Sequence, residues 1–588
     1  MTDAPEPQPR ISRRSALAAG LALAVIVVIV VALIAGGGSS AGSGTTADPA
    51  GAIPASAPLY AGAVVRPEGS LQTAAAAAGH TLTHQADPYL RLTTALQTPG
   101  SAPLNFNHDI APWLGPNAGI FLSSLAASGQ AGVGQVLSLL AGALLSGSPS
   151  TSAFPFATHG VPGAIVMDTS DVKEARSFLE SQAKRAGAHA GSYRGVPYQI
   201  TTAGVAFAIV ERFAVIGSEE GLHGVIDTTL GGSSLAKAPG YAKLLAHAPA
   251  GTLAHVYVHP GTAATSSAAA GLSGLLGSLA GTRETNISLV PSKTSIALDA
   301  DASGSQAGSG GLLSSAAEGA KAAAELPGES WLAVGLGHVG PALGKDVQAL
   351  RGLTTLATSL GGAAPAAEPT TPLTLEGLLK TVFAPLSVLG GESAQAKHDF
   401  QSWMGSAGIF AAGTGIVELK AGVVISSTDP AASRAAVDEL ANTLKKSSGA
   451  SLTPVSIPGT EAAIGVILSG FPVTLNIAAG RGADGQAKFV IGLSEASVTA
   501  ALQPPSALTG AASYTAASAA LGEGIQPSLL LDVPTFLGLI EGVDLTSEPI
   551  ISKFVPYLRT LTEVAGGGKS LGEEIERFRV VFGLQKTE

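Results

Sequence analysis

The chain contains no cysteine. That absence removes disulfides, thiolate nucleophiles, cysteine-ligated metals and a lipid-modified cysteine anchor together. Charge is also scarce: Asp, Glu, Lys and Arg make up 13% of the residues, and no Lys/Arg cluster lies beyond the N-terminus. Aromatics reach only 5%. A nucleic-acid interface needs a basic patch interleaved with aromatic side chains, so nucleic acid is not an expected partner. What the chain has instead is small and apolar, with 46% hydrophobic residues and 75 glycines in 588. That composition folds rather than stays disordered, and the length exceeds what one core usually supports.

The longest apolar run lies near the N-terminus. Arg10, Arg13 and Arg14 precede ALAAGLALAVIVVIVVALIA, residues 16–35. At 1.5 Å per residue this run spans roughly 30 Å, the thickness of a bilayer core. Arginines on its N-terminal side keep residues 1–15 cytoplasmic and send the remainder outside. The run exceeds the apolar core of a signal peptide and leads into GGGSSAGSGTT without a small-x-small cleavage site. The reading is therefore an uncleaved single-pass anchor, followed by a Gly/Ser tether over 36–52.

Beyond the tether the chain repeats itself. DIAPWLGPNAGIF at 109–121 returns as DFQSWMGSAGIF at 399–410, whereas the neighbouring Asn107, His108 and Pro112 read as not uniformly repeated. Upstream, Ile53-Pro54 to Ala61 answers Leu326-Pro327 to Ala333. Downstream, residues 163–188 match 422–450, each a strand, a cap and an amphipathic helix, with Asp171 and Asp429 in the N-cap region. Phe213 to Gly217 pairs with Phe489 to Gly492, each leading to Ser-Glu before a helix; Tyr241 pairs with Tyr514, Leu253 to Val258 with Leu529 to Val533, and Thr294 to Ala300 with Arg577 to Phe582. The matches stay collinear, which predicts repeat units at 53–303 and 326–588 separated by a Gly/Ser/Ala linker at 304–325. Short successive strands with interspersed helices predict an α+β fold with antiparallel sheets and packed helices in each unit.

The order IPASAPLYAGAVVRP, DIAPWLG, strand-Asp-helix, YRGVPY and FAVIGSEEGL resembles the actinobacterial domain-of-unknown-function 3352 family. The resemblance covers most of 53–300 and, more faintly, 326–588, where SIPGTE replaces YRGVPY and SEAS replaces SEEG. It implies an exported or membrane-attached α+β ectodomain and supplies no catalytic residues.

Motifs that could carry chemistry have plainer explanations. Gly335-Leu336-Gly337-His338-Val339-Gly340 fits G-x-G-x-x-G, but Pro341 follows directly and no acidic residue lies near twenty positions on. Gly480 to Gly485 sits between two strand-like runs and reads as a hairpin turn. His80 with His84, and His255 with His259, share a face but lack a third ligand. Ser218-Glu219 and Ser494-Glu495 are ordinary helix starts. Trp113 and Trp403 read as core anchors.

One distributed feature stands apart. No charged residue occurs from Ile110 to Met167 or over 260–282, and both stretches carry Leu/Ala/Gly runs with almost no polar face. Such surfaces need a cover of protein, apolar ligand or bilayer. The expected function is thus a non-enzymatic extracytoplasmic binding module at the cell membrane, with Val136, Leu137, Leu139, Leu140, Leu144, Leu272, Leu275 and Leu276 lining a site for a lipid or other hydrophobic molecule. No catalytic, metal or cofactor residue is expected. The alternative is a structural ectodomain that binds an envelope protein.

Overall fold

In a computed structural model the described residues are 47–83, 93, 103–124, 162–259, 284–303, 316–340, 385, 388–389, 394–448, 450–468, 474–542, 546, 549–572 and 574–586. The expected transmembrane run at 16–35 lies outside them. No helix among the described residues is long and apolar enough to cross a membrane.

The strands are β1 (Leu59–Val64), β2 (Leu114–Leu122), β3 (Gly163–Thr169), β4 (His189–Tyr193), β5 (Val196–Ile200), β6 (Val205–Val210), β7 (Phe213–Ser218), β8 (Ala254–Val258), β9 (Thr285–Pro291) and β10 (Ser295–Ser303). After them come β11 (Ser330–Leu336), β12 (Met404–Ala412), β13 (Lys420–Ser427), β14 (Ser451–Pro454), β15 (Thr460–Ile467), β16 (Thr474–Arg481), β17 (Ala487–Gly492), β18 (Leu529–Asp532), β19 (Leu561–Gly572) and β20 (Ile575–Leu584). Residue-by-residue pairing orders the first ten as β4-β5-β6-β7-β3-β2-β1-β8-β9-β10. The second ten run β14-β15-β16-β17-β13-β12-β11-β18-β19-β20, the same order. All these pairs are antiparallel. β10 pairs with β20, so the two sets form one continuous 20-stranded sheet.

Helices cover both faces. On one face lie α3 (Glu219–Thr229), α4 (Pro239–Ala246), α5 (Ala316–Ala324), α7 (Glu495–Leu502) and α8 (Ala512–Leu521). The other carries α1 (Gly69–Thr83), α2 (Val172–Arg185), α6 (Pro430–Ser448), α9 (Val533–Gly542) and α10 (Pro549–Leu558). The α+β expectation therefore holds, and short hairpins such as β4–β5, β6–β7, β16–β17 and β19–β20 set the antiparallel direction where they occur. The middle of this second face is shared: Ala75, Ala78 and Leu82 of α1 pack in one cluster with Leu537 of α9 and Phe554 and Leu558 of α10.

Local signals explain the element starts. Asp171 Oδ1 accepts from the backbone N–H of Lys173 and Glu174 at 2.8 and 3.0 Å, and Asp429 Oδ1 does the same for Ala431 and Ala432 at 3.0 and 3.1 Å. Ser218 and Ser494 cap α3 and α7 through the N–H groups of Gly221 and Ser497. Gly480 to Gly485 lies at the β16–β17 hairpin, where Gly485 has φ +78°.

Three boundaries and alignments differ from the sequence reading. The last residues of the expected tether are packed: Ala50 and Ala52 are fully buried beside a 3-10 turn at Pro49–Gly51, capped by Asp48. Nine residues near the end of the expected linker, Ala316–Ala324, form α5, and Gly319 and Gly335 let helix and strand backbones meet; a Cβ at Gly335 would collide with the Gly319 carbonyl oxygen. That contact also fills the space above the G-x-G-x-x-G stretch. Finally, β3 pairs Met167 with Ala214 while β13 pairs Ile425 with Phe489, so Phe213 corresponds to Lys488 rather than Phe489. A one-residue slip reverses faces, and Phe213 and Phe489 do belong to different cores.

The duplicated tryptophan element is structural. Trp113 and Trp403 are each 1% exposed, and each indole Nε1 donates to a carbonyl four residues back, of Asp109 or Asp399, at 2.8 Å. Both sit after a π-helical turn, Phe106–Ile110 or Lys397–Gln401. His108 is in fact matched by His398, each exposed with Nδ1 against the following Asp. Trp113→Ala and Trp403→Ala should each lower stability by about 3–5 kcal/mol, the ordinary cost of emptying an aromatic core position. Urea unfolding of the two variants should give similar losses, since the sites are equivalent.

Candidate functional site: a polar band at the seam

The two sets of strands differ on the α3/α4/α5/α7/α8 face, in rows that cross β1, β8, β9 and β10. Tyr60 stands opposite Tyr257, Tyr257 opposite Asn286, Asn286 opposite Asp301, and Asp301 opposite Arg577 of β20. One step along the strands, Gly62, His255, Ser288, Asp299 and Arg579 form a parallel row. Asn286, Ser288, Asp299 and Asp301 are each at most 1% exposed. Tracing the same pairings from β11 gives Ala333, Leu530, Ala565 and Val581 where the first row has Tyr60, Tyr257, Asn286 and Asp301. The counterpart row is wholly apolar and belongs to the neighbouring core.

Aromatic geometry organises one end of the band. Tyr241, from α4, meets Tyr60 and Tyr257 edge-on at ring centroid distances of 5.9 and 5.2 Å. Its hydroxyl lies 3.0 Å from His255 Nε2. Only a glycine fits beneath: a Cβ on Gly62 would lie 2.7 Å from both His255 Cε1 and the Tyr60 hydroxyl. Tyr257 donates to Glu284 Oε1 at 3.2 Å, and His259 Nδ1 lies 3.0 Å from that oxygen. Burial pushes the Tyr60, Tyr241 and Tyr257 hydroxyls well above their ordinary range, so they stay protonated donors. Burial also drives the His255 ring down to about 4, leaving it neutral at neutral pH.

At the other end sit two bidentate ion pairs. Arg577 donates from Nε and Nη2 to the two Asp301 oxygens at 2.7 and 2.8 Å, and Arg579 does the same to Asp299 at 2.7 Å for both bonds. Each guanidinium has a further carbonyl partner at a helix end: Arg577 donates to His247 O after α4, and Arg579 to Leu521 O at the end of α8. Burial raises the Asp301 carboxyl above its ordinary value, against the lowering pull of Arg577. Such pairs favour one geometry strongly because a planar fork meets a planar carboxylate.

A second difference lies nearer the outer strands. Asp168, whose side chain is fully buried, is held by Arg212 Nε at 2.9 Å and the Ala47 N–H at 3.3 Å. Its counterpart is Ser426, and the buried charge moves to Lys488 on the adjoining strand, 3.2 Å from Glu325 and 3.6 Å from Asp484. Lys488, Glu325, Ser406 and Ser426 line a cleft of about 20 Å³, room for one water molecule. The two serine hydroxyls lie 3.1 Å apart and Lys488 is engaged by carboxylates, so the arrangement is a structural polar contact rather than an activated nucleophile.

The sequence-derived site residues Val136, Leu137, Leu139, Leu140, Leu144, Leu272, Leu275 and Leu276 all lie outside the described residues, as does His84. Among the described residues, His255 and His259 turn to different partners, and no group of three or more His, Asp or Glu side chains is placed to hold a metal. Sequence reasoning missed the polar band because its members are spread over 60–301 and 577–579. The available signal was the contrast between Asp299, Asp301 and Ser288 and an otherwise apolar strand pattern.

The fold defines a class: an antiparallel α+β protein in which a ten-strand order occurs twice and is joined through equivalent strands. The chain belongs to the family described as "Protein of unknown function (DUF3352)", whose model matches residues 16–562. No curated protein matches the sequence. Among solved structures, one titled "Structure of crystal form I of TP0453" is similar at 9% identity, covering 45% of this chain and 81% of that chain, with a TM-score of 0.25, too low to bear on the fold.

The neutral buried His255 generates a pH prediction. Its folded value lies below the ordinary 6.5, so the unfolded chain binds the proton more readily as pH falls. Stability is then complete above about pH 6.5 and declines toward pH 4, by up to about 3 kcal/mol, less where the ring edge reaches solvent. Urea midpoints measured from pH 7 to 4.5 should show this decline, and His255→Gln should flatten it.

Proposed function

We propose that the chain is a membrane-anchored, extracytoplasmic, non-enzymatic module of two tandem related units that binds a lipid or other hydrophobic molecule. The unit boundaries are those read from the sequence, with the tether shortened to end before Ala47 and the linker before α5. The observation that carries the ligand reading is where the two charge-free stretches join the sheet. One connects Leu122 to Gly163 and the other connects Val258 to Thr285. Leu122 and Val258 both pair with Leu59, Leu122 pairs with Gly163, and Val258 pairs with Thr285. The connections that carry the charge-free stretches thus leave and re-enter four strands, β2, β3, β8 and β9, that flank β1 at its Leu59 end. The described ends of the two stretches are neighbours in the sheet, which supports a shared apolar ligand site. The 16–35 run supports the anchor, and its flanking arginines support the orientation. The absence of an enzymatic assignment rests on the engagement of His255, Lys488, Asp168, Asp299 and Asp301 in contacts that hold the fold.

A second reading, a structural or protein-interaction ectodomain, is favoured by a different observation. At the tip of the β12–β13 connection, Val417 is 98% exposed, and the described cleft at Lys488 admits only water. Mass spectrometry of organic extracts from purified full-length protein separates the two. The first reading expects a stoichiometric lipid, lost in Leu139→Asp/Leu140→Asp with the urea midpoint unchanged. Protein free of any lipid beyond that found with an unrelated single-pass protein would reject it in favour of the second.

A further inference from the structure

The seam between β10 and β20 has the register of a two-fold interface. Carrying the pairings outward from Gly62 and Gly335, which stand opposite Gly119 and Gly408 in the repeated Ala-Gly-Ile-Phe strands, makes Asp299 the counterpart of Arg579. The same tracing makes Asp301 the counterpart of Val581, and Ala297 that of Arg577. In the seam, Asp299 faces Arg579, Asp301 faces Arg577 and Ala297 faces Val581. Exchanging the two strands maps this set of pairs onto itself, with the Asp299–Arg579 pair on the axis. An isologous interface has this property, in which a surface meets its own copy. On such an axis identical strands would bring identical residues together.

We infer that the Asp299–Arg579 pair is the specificity determinant of the seam, making β10 a partner for β20 and for no second β10. Two β10 strands in this register would set Asp299 against Asp299, and two β20 strands would set Arg579 against Arg579. Both carboxylates of the seam are fully buried, where an unpaired like-charge contact is strongly unfavourable. Opposite charge on the axis therefore directs each half of the chain to the other half and bars like halves of two copies. The inference stands on the pairing register and is independent of any ligand.

The pseudo-symmetry supplies a test that an ordinary ion pair would not pass. Reversing the axis pair exchanges two equivalent positions, so Arg at 299 finds the C-terminal carbonyls of α4 much as Arg579 finds Leu521 O. Reversing Asp301 and Arg577 exchanges non-equivalent positions, whose counterparts are Val581 and Ala297. The experiment uses the full chain and reads urea midpoint together with hydrogen exchange of the β10 and β20 amides. D299R and R579D should each reduce seam protection by about a hundredfold or abolish folding. D299R/R579D should fold and recover at least half of the lost midpoint, while D301R/R577D should recover less than half of the loss in its own single variants. D299N and R579Q, which remove one charge without opposing like charges, should fold and provide the measurable reference if the single reversals do not. The inference is overturned if D299R/R579D is no more stable than the worse of D299R and R579D, or if the off-axis reversal recovers as fully as the axis one.

Discussion

The structure depends on one constraint, the antiparallel pairing of β10 with β20. Each set of ten strands ends in a strand whose free edge would otherwise expose nine or ten residues of unpaired backbone, and each edge satisfies the other. The two bidentate Arg–Asp pairs lie across this line. Buried ion pairs contribute little net stability compared with apolar packing, because desolvation offsets the attraction. Their effect is selective: a register slipped by two residues would keep one Asp opposite one Arg and strand the other carboxylate and guanidinium in the interior.

The same seam ties the faces together. Arg577 and Arg579 each hold a carbonyl at the end of a helix, one from each half, so the helix layer is positioned by the pairs that align the strands. On the opposite face, α1 packs with α9 and α10 over the central strands. Separation of the halves would expose both layers at once. The linker reading of 304–325 is altered accordingly, since its final part is a helix seated on β11 through a glycine-to-glycine contact.

Where the halves differ, they differ by exchange of polar and apolar character in the same frame. Tyr60, Tyr257, Asn286 and Asp301 face Ala333, Leu530, Ala565 and Val581 in the comparison of rows, and the outer buried charge is a carboxylate in one half and an ammonium in the other. Duplication leaves backbone pairing intact because it depends on register and strand length. Side chains on a buried row are then free to diverge while the backbone ladder is kept.

The sequence by itself determined the repeat, the order of elements, the helix caps at Asp171 and Asp429, and the burial of Trp113 and Trp403, because these depend on local periodicity and on collinear likeness. Likeness along the chain pairs Phe213 with Phe489 where the sheet equates it with Lys488, and Thr294–Ala300 with Arg577–Phe582 where the sheet equates Asp299 with Arg579, offsets of one to three positions. Apolar strands resemble one another at every offset, so likeness cannot choose among slips that hydrogen-bond pairing separates. The equivalence of Asp299 with Arg579, and their meeting on one axis, depended on contacts between residues 280 apart. Only the tertiary structure decided that, because the physical signal, opposite charges brought together in a buried seam, exists in the fold and not along the chain.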